Sequence, residues 1–255
     1  MTLNQLFDTS RYTILDGGMG TMLQAAGLPL GTRPESLALT RPDLLETIHR
    51  NYAQAGAQLL YANTFGASDH KLAGTGYTVE QVVPAAIACA RRAAGDTGAL
   101  VALDIGPLGE LLEPAGTLTF EDAYNAFART VRAGQDADVI VLETMTDLYE
   151  VKAALLACRE NSDKPVLVSM TFEENGRSFT GCCVESFAAV AAGLGASAIG
   201  VNCSLGPVEI LPLARRLCEC VPAGIPVFVK PNRGLPRADG SGYDMTAEQF
   251  AAAME

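Results

Sequence analysis

Positive charge is scarce in this sequence. Eighteen lysines and arginines stand against 29 acids, a net charge of −11. The "ARR" triplets at 90–92 and 214–216 are isolated pairs on helical stretches, not a basic patch. Such a balance disfavours a phosphate backbone, so no nucleic-acid partner is expected. Long apolar runs are also lacking: none reaches the roughly 18–20 residues that a membrane span needs. The opening "MTLNQLFDTSRYT" has no basic-then-apolar leader pattern. The expectation is a cytoplasmic protein with no membrane partner. There is no CxxC, and seven cysteines with no export signal argue against a disulfide framework. Histidine is limited to His49 and His70, which leaves little material for a nucleophile with an imidazole base. No linker-like tract divides the chain, so residues 1–255 read as one domain.

What is present is a regular alternation. Short β-rich runs alternate with longer helical patterns, the mark of parallel βαβ units. Seven strands are expected, over residues 13–17, 59–65, 100–106, 139–145, 166–172, 198–203 and 227–232. Helical patterns lie between them at 42–55, 79–94, 120–136, 147–159, 184–194 and 208–220, with Thr40, Thr119 and Thr146 as candidate caps. This pattern predicts an α/β fold of the (β/α)8 TIM-barrel class, stopping about one strand and one helix short of closure because "TAEQFAAAME" is cut in mid-helix. The open edges of such a sheet predict self-association through the gap. "LGELLEPAGTLTF" is a candidate lid or rim segment.

In a barrel of this class the chemistry sits at the C-terminal ends of the strands. Those ends bring Asp16 with "GGMGT", Asn63-Thr64, Asp104, Glu143-Thr144, Thr171, Asn202-Cys203 and Lys230. Asp16 and Glu143 end apolar strands, and a buried carboxylate needs a cation. A substrate ammonium is one possibility; capping of the next turn, or an internal partner among Arg33, Arg177 and Arg233, is another. The glycine turn 17–21 opens a helix and suits an anion or merely a tight bend. Cys203 is open to three readings: metal ligand, nucleophile or packed thiol. Cys89, Cys158, Cys218 and Cys220 fall in helical stretches and read as small hydrophobes. Lys230 is open to a Schiff-base role or to a plain solvent-facing one.

Six motifs occur in one order: "LDGGMGTMLQ", "ANTFGAS", "DIGPLG", "VLETMTD", "GVNCSLGP" and "VKPNRGLP". Together they closely resemble the homocysteine S-methyltransferase family, best the N-terminal homocysteine-binding barrel of cobalamin-dependent methionine synthases. The resemblance implies a zinc ion held by three cysteines, with Cys203 as the first. It also implies that Asp16 and Glu143 face the amino group of homocysteine and that the backbone of Gly18, Met19 and Gly20 receives its carboxylate. Asn202, in the same motif as Cys203, is counted with the substrate-binding positions. The methyl donor would be bound on another domain or molecule, with cobalamin and methyltetrahydrofolate or S-methylmethionine as its source. The family takes its other two zinc cysteines from a "GGCCG" motif on the eighth strand, which is absent before Glu255. Three explanations are expected in this order: a fragment, a degenerate amino-acid-binding barrel without a complete zinc site, or substitution by Cys182 with Cys183.

Overall fold

The computed structural model describes residues 1–29, 31–234 and 245–254. Among the described residues six strands form one parallel sheet: β1 (Leu59–Tyr61), β2 (Leu100–Ile105), β3 (Val139–Met145), β4 (Val166–Met170), β5 (Ala198–Asn202) and β6 (Val227–Lys230). They are hydrogen-bonded in sequence order. The sheet is curled, as in a TIM-like barrel. The expected first strand survives only as a bridge. Leu15 pairs in parallel with Leu59, flanked by Gln58 N–H to Ile14 O at 2.8 Å and Asp16 N–H to Leu59 O at 3.1 Å. Gly17 and Gly18 end that ladder, and Ile14 lies 58% exposed before it, so too little is buried to extend it. The second expected strand likewise ends at Tyr61, where the chain turns through Thr64 N–H to Ala62 O.

Alternation along the strands divides the apolar side chains into two layers. Leu59, Tyr61, Val139, Val141 and Leu167 pack on one face with Leu6 from a one-turn N-terminal helix. Leu60, Val101, Leu103, Ile140, Leu142, Val168 and Ile199 pack on the other, beneath the helices. Burial on both faces is what unbroken Val/Ile/Leu runs provide in a parallel sheet.

The helices fall close to their expected spans: α1 (Met19–Ala25), α2 (Pro42–Gln54), α3 (Val79–Ala94), α4 (Phe120–Ala133), α5 (Leu148–Asn161), α6 (Val184–Gly193), α7 (Pro207–Cys220) and α8 (Ala247–Met254). Thr119 caps α4 by accepting from Asp122 N–H at 3.1 Å. Two other expected caps move. Asp147, not Thr146, caps α5 by accepting from Tyr149 N–H, because a carboxylate there reaches the free amide. Arg41 precedes α2, while Thr40 closes the preceding turn on Ser36 O. Cys89 and Cys158 are buried as expected, whereas Cys218 and Cys220 lie exposed on the outer face of α7. The candidate lid is packed down: Leu108 and Leu112 are buried, and Leu112 bridges Leu118. Among the described residues no helix is long and apolar enough to cross a membrane.

His49, on α2, is fully buried, and neither ring nitrogen has a hydrogen-bond partner among the described residues. Burial pulls its pKa down to about 4. The unfolded chain therefore takes up a proton near pH 6.5 that the folded chain refuses, so stability falls as pH drops from 6.5 towards 4. Replacing His49 with Leu should stabilise by about 1–2 kcal/mol at pH 7 and by more at pH 5. Urea unfolding at the two pH values checks this.

Candidate active site

The strand ends gather an acidic cluster around one lysine. Asp16, Asp104 and Glu143 project from the ends of the first bridge, β2 and β3, and Lys230 closes β6. Lys230 Nζ lies 3.6 Å from Asp16 Oδ1, 3.5 Å from Glu143 Oε2 and 3.6 Å from the centre of the Tyr61 ring. At those separations each ion pair is worth about 4–5 kcal/mol before desolvation, with an effective dielectric of about 20. Desolvation returns several kcal/mol of that. The lysine side chain is 21% exposed, so the expected solvent-facing position gives way to one turned into the cluster.

The cation found between Asp16 and Glu143 is Lys230, and Arg33 is exposed. Arg177 donates to Gly181 O and Arg233 to Met245 O. Burial pushes the Lys230 pKa down, but Glu143 and Asp16 outweigh it and hold the value above that of an ordinary lysine. An ammonium held in this way is a poor nucleophile, which weighs against a Schiff base.

Burial pushes Asp16 up to about 6, while Lys230 and the Tyr61 N–H, donated to Oδ2 at 2.8 Å, oppose the rise. Asp104 is likewise raised, by burial and then by Glu143. Asp16 Oδ1, Asp104 Oδ1 and the Tyr61 hydroxyl are buried without a hydrogen-bond partner among the described residues. Three acids share one cation, and the cluster keeps unspent hydrogen-bonding capacity. Buried acids with shifted pKa values and unpartnered oxygens mark a candidate functional site.

Asn202 ties β3 to β5. Its Oδ1 accepts from Thr144 N–H at 2.9 Å and from Ser169 Oγ at 2.8 Å, and its Nδ2 donates to Thr144 Oγ1 at 2.8 Å. Thr144 has φ 61°, an outlying conformation for a β-branched residue. Cys203 and Ser204 follow at φ 64° and 59°. Backbone strain of this kind costs roughly 1–3 kcal/mol per residue and persists only where neighbours enforce it. Here the Asn202 amide does so, fixing the carboxylate-bearing Glu143 beside the thiol-bearing Cys203 strand.

Gly17 is dictated by close approach: a Cβ there would meet the Tyr52 ring at 2.8 Å. Tyr52 in turn donates to Gly18 O at 3.2 Å, so the turn is braced from α2. Gly18 precedes Met19 and Gly20 at the start of α1, where the first N–H groups have no intrahelical acceptor. The half-buried Cys203 carries its N–H to Lys230 O at 3.1 Å. Cys182 turns its thiol to Cys183 O at 3.3 Å, and burial pushes that thiol up to about 11. Cys183 meets Ser186 Oγ at 3.2 Å. His49 is sealed in the core and His70 Nε2 lies 3.0 Å from Glu110, so neither serves Cys203 as a base. Of the quoted motifs, only Leu235 and Pro236 lie outside the described residues.

The family model described as homocysteine S-methyltransferase matches residues 13–255. The chain belongs to the homocysteine S-methyltransferase family. The methionine synthase of Mycobacterium tuberculosis is 35% identical over 282 residues, covering 98% of this chain and 23% of that protein. The Mycobacterium leprae methionine synthase is 34% identical, covering 96% and 22%. This family member thus spans about a quarter of the length of the curated relatives it matches. The oxidised form of the homocysteine methyltransferase MmuM from Escherichia coli superposes with a TM-score of 0.80 at 23% identity, covering 90% of this chain and 85% of that one. The metallated form of the same protein gives 0.78. At this identity the likeness concerns the fold. Sequence reasoning had found Asp16, Glu143, Asn202 and Cys203 as strand-end groups, but not the pairing of both acids with Lys230. Charge balance across the strand ends held that signal, since Lys230 is the one cation among them.

Proposed function

We propose that this chain is the homocysteine-binding unit of a methyltransferase that converts homocysteine to methionine. The acidic cluster carries the reading: Asp16 and Glu143 flank one point, and buried oxygens beside it lack partners. The substrate ammonium would sit between the two carboxylates. The backbone of Gly18, Met19 and Gly20 would receive the carboxylate, with the thiol directed towards Cys203. Asn202 acts by positioning, since Thr144 and Ser169 occupy its side chain. In the transfer a sulfur–carbon bond forms as the donor–carbon bond breaks, and the thiol proton leaves. The donor would be supplied from another domain or molecule: methylcobalamin recharged by methyltetrahydrofolate, or S-methylmethionine. A cytoplasmic location and association through the β6 edge belong to the same proposal.

Zinc enters only through Cys203, with Cys182 as a distant second choice. Among the described residues no three Cys, His, Asp or Glu side chains converge as a metal site. These residues do not fit a complete zinc centre, and no step is derived through the metal. The second reading is an amino-acid-binding barrel without catalysis.

Metal content and methyl transfer in the natural-length protein separate the two. About one zinc per chain, lost with activity in Cys203→Ser, supports the methyltransferase. Homocysteine binding without zinc or transfer supports the binding barrel.

A further inference from the structure

Lys230 occupies the place that the proposed reading gives to the substrate. Its Nζ faces the same oxygens, Asp16 Oδ1 at 3.6 Å and Glu143 Oε2 at 3.5 Å, that would grip an α-ammonium. Both separations exceed the usual 2.7–3.2 Å of an N–H···O bond. The lysine therefore compensates the acids without saturating them, and Asp16 Oδ1 is left with no hydrogen bond. Two ammonium groups in one gap would repel, and the lysine stem is flexible, with its side chain 21% exposed. With Asp104 as the third acid, the cluster carries three potential negative charges against one positive.

We infer that Lys230 is a resident counter-ion that holds the ammonium site in the free protein and is displaced by the amino group of the incoming substrate. This inference rests on the homocysteine reading. On this account Lys230 is a specificity-determining residue. It holds the carboxylates in place, and it sets the cost that an amino-bearing ligand must overcome. A thiol acid without an amino group leaves Lys230 where it is and gains nothing from Asp16 and Glu143.

The test is calorimetric titration of wild type and Lys230→Met with L-homocysteine and with 4-sulfanylbutanoate, its counterpart lacking the amino group. The readout is the ratio of the two affinities. Removal of the displaced cation should raise the preference for homocysteine at least tenfold. The double variant Lys230→Met/Asp104→Asn removes a buried acid together with its cation, guards against misfolding of the single variant, and should show the same rise. An unchanged or lowered ratio in a folded variant overturns the inference, since Lys230 would then act as a bystander or assist the ligand. Wild type that binds homocysteine with such a ratio leaves the homocysteine reading standing. Wild type that does not bind homocysteine overturns that reading, and this inference with it.

Discussion

Asn202→Ala should cost about 3–5 kcal/mol of folding free energy. The change removes the acceptor of the Thr144 N–H and the Ser169 hydroxyl together with the donor to Thr144 Oγ1. Ser169 is fully buried, so its orphaned hydroxyl has no water to turn to. A buried donor without a partner costs roughly 1–3 kcal/mol, and Thr144 loses what enforces its positive φ. Against a typical domain stability of about 5–15 kcal/mol this is a large fraction. Urea unfolding measures it. Asn202→Asp keeps both acceptor contacts but buries a further carboxylate beside Glu143 with no cation of its own, so it too should lose stability. A loss below about 1 kcal/mol for the alanine variant would show that Asn202 does not hold the β3–β5 junction.

Asp16→Asn should act in opposite directions on binding and on stability. For binding, an ammonium loses one of its two carboxylates, and homocysteine affinity should fall about a hundredfold at pH 7.5, the scale of one desolvated charge-assisted bond. For stability, Asp16 is raised to about 6 in the folded state, above its unfolded value near 3.9. Its contribution is fully present below the unfolded value and is lost as pH rises through about 6. The amide should therefore stabilise the free protein by about 1–3 kcal/mol at pH 7.5 and very little at pH 4. Binding carries the matching signature. Wild-type affinity for homocysteine should drop as pH falls through 6 and Asp16 takes up its proton, while 4-sulfanylbutanoate should not show that step. Melting curves and titrations across pH 4–8 give both halves.

The periodic parts of this molecule were legible because their causes are local. Unbroken Val/Ile/Leu runs specify buried parallel strands, and Val79–Ala94 is the helix its pattern predicts. The first strand was overestimated because a run ending in two glycines, with an exposed Ile14 before it, looks like a strand but buries too little. The acids and the thiol were visible as polar residues ending apolar runs. Their pairing was not visible: Lys230 meets Asp16 and Glu143 only because the curl of the sheet brings β6 to face the first bridge and β3, more than eighty residues away in sequence. Asn202 was counted with the substrate-binding positions because it shares a motif with Cys203, and its hydrogen bonds to Thr144 and Ser169 were not visible in the sequence. Its engagement with Thr144 depends on a conformation that sequence pattern does not encode.

The central claim is that the space between Asp16 and Glu143 recognises the ammonium of a thiol amino acid. Calorimetry of the protein with L-homocysteine against 4-sulfanylbutanoate at pH 7.5 tests it most directly. The account predicts at least tenfold tighter binding of homocysteine, abolished in Asp16→Asn. Equal affinities for the two thiols, or a preference that survives the Asp16 substitution, would contradict it.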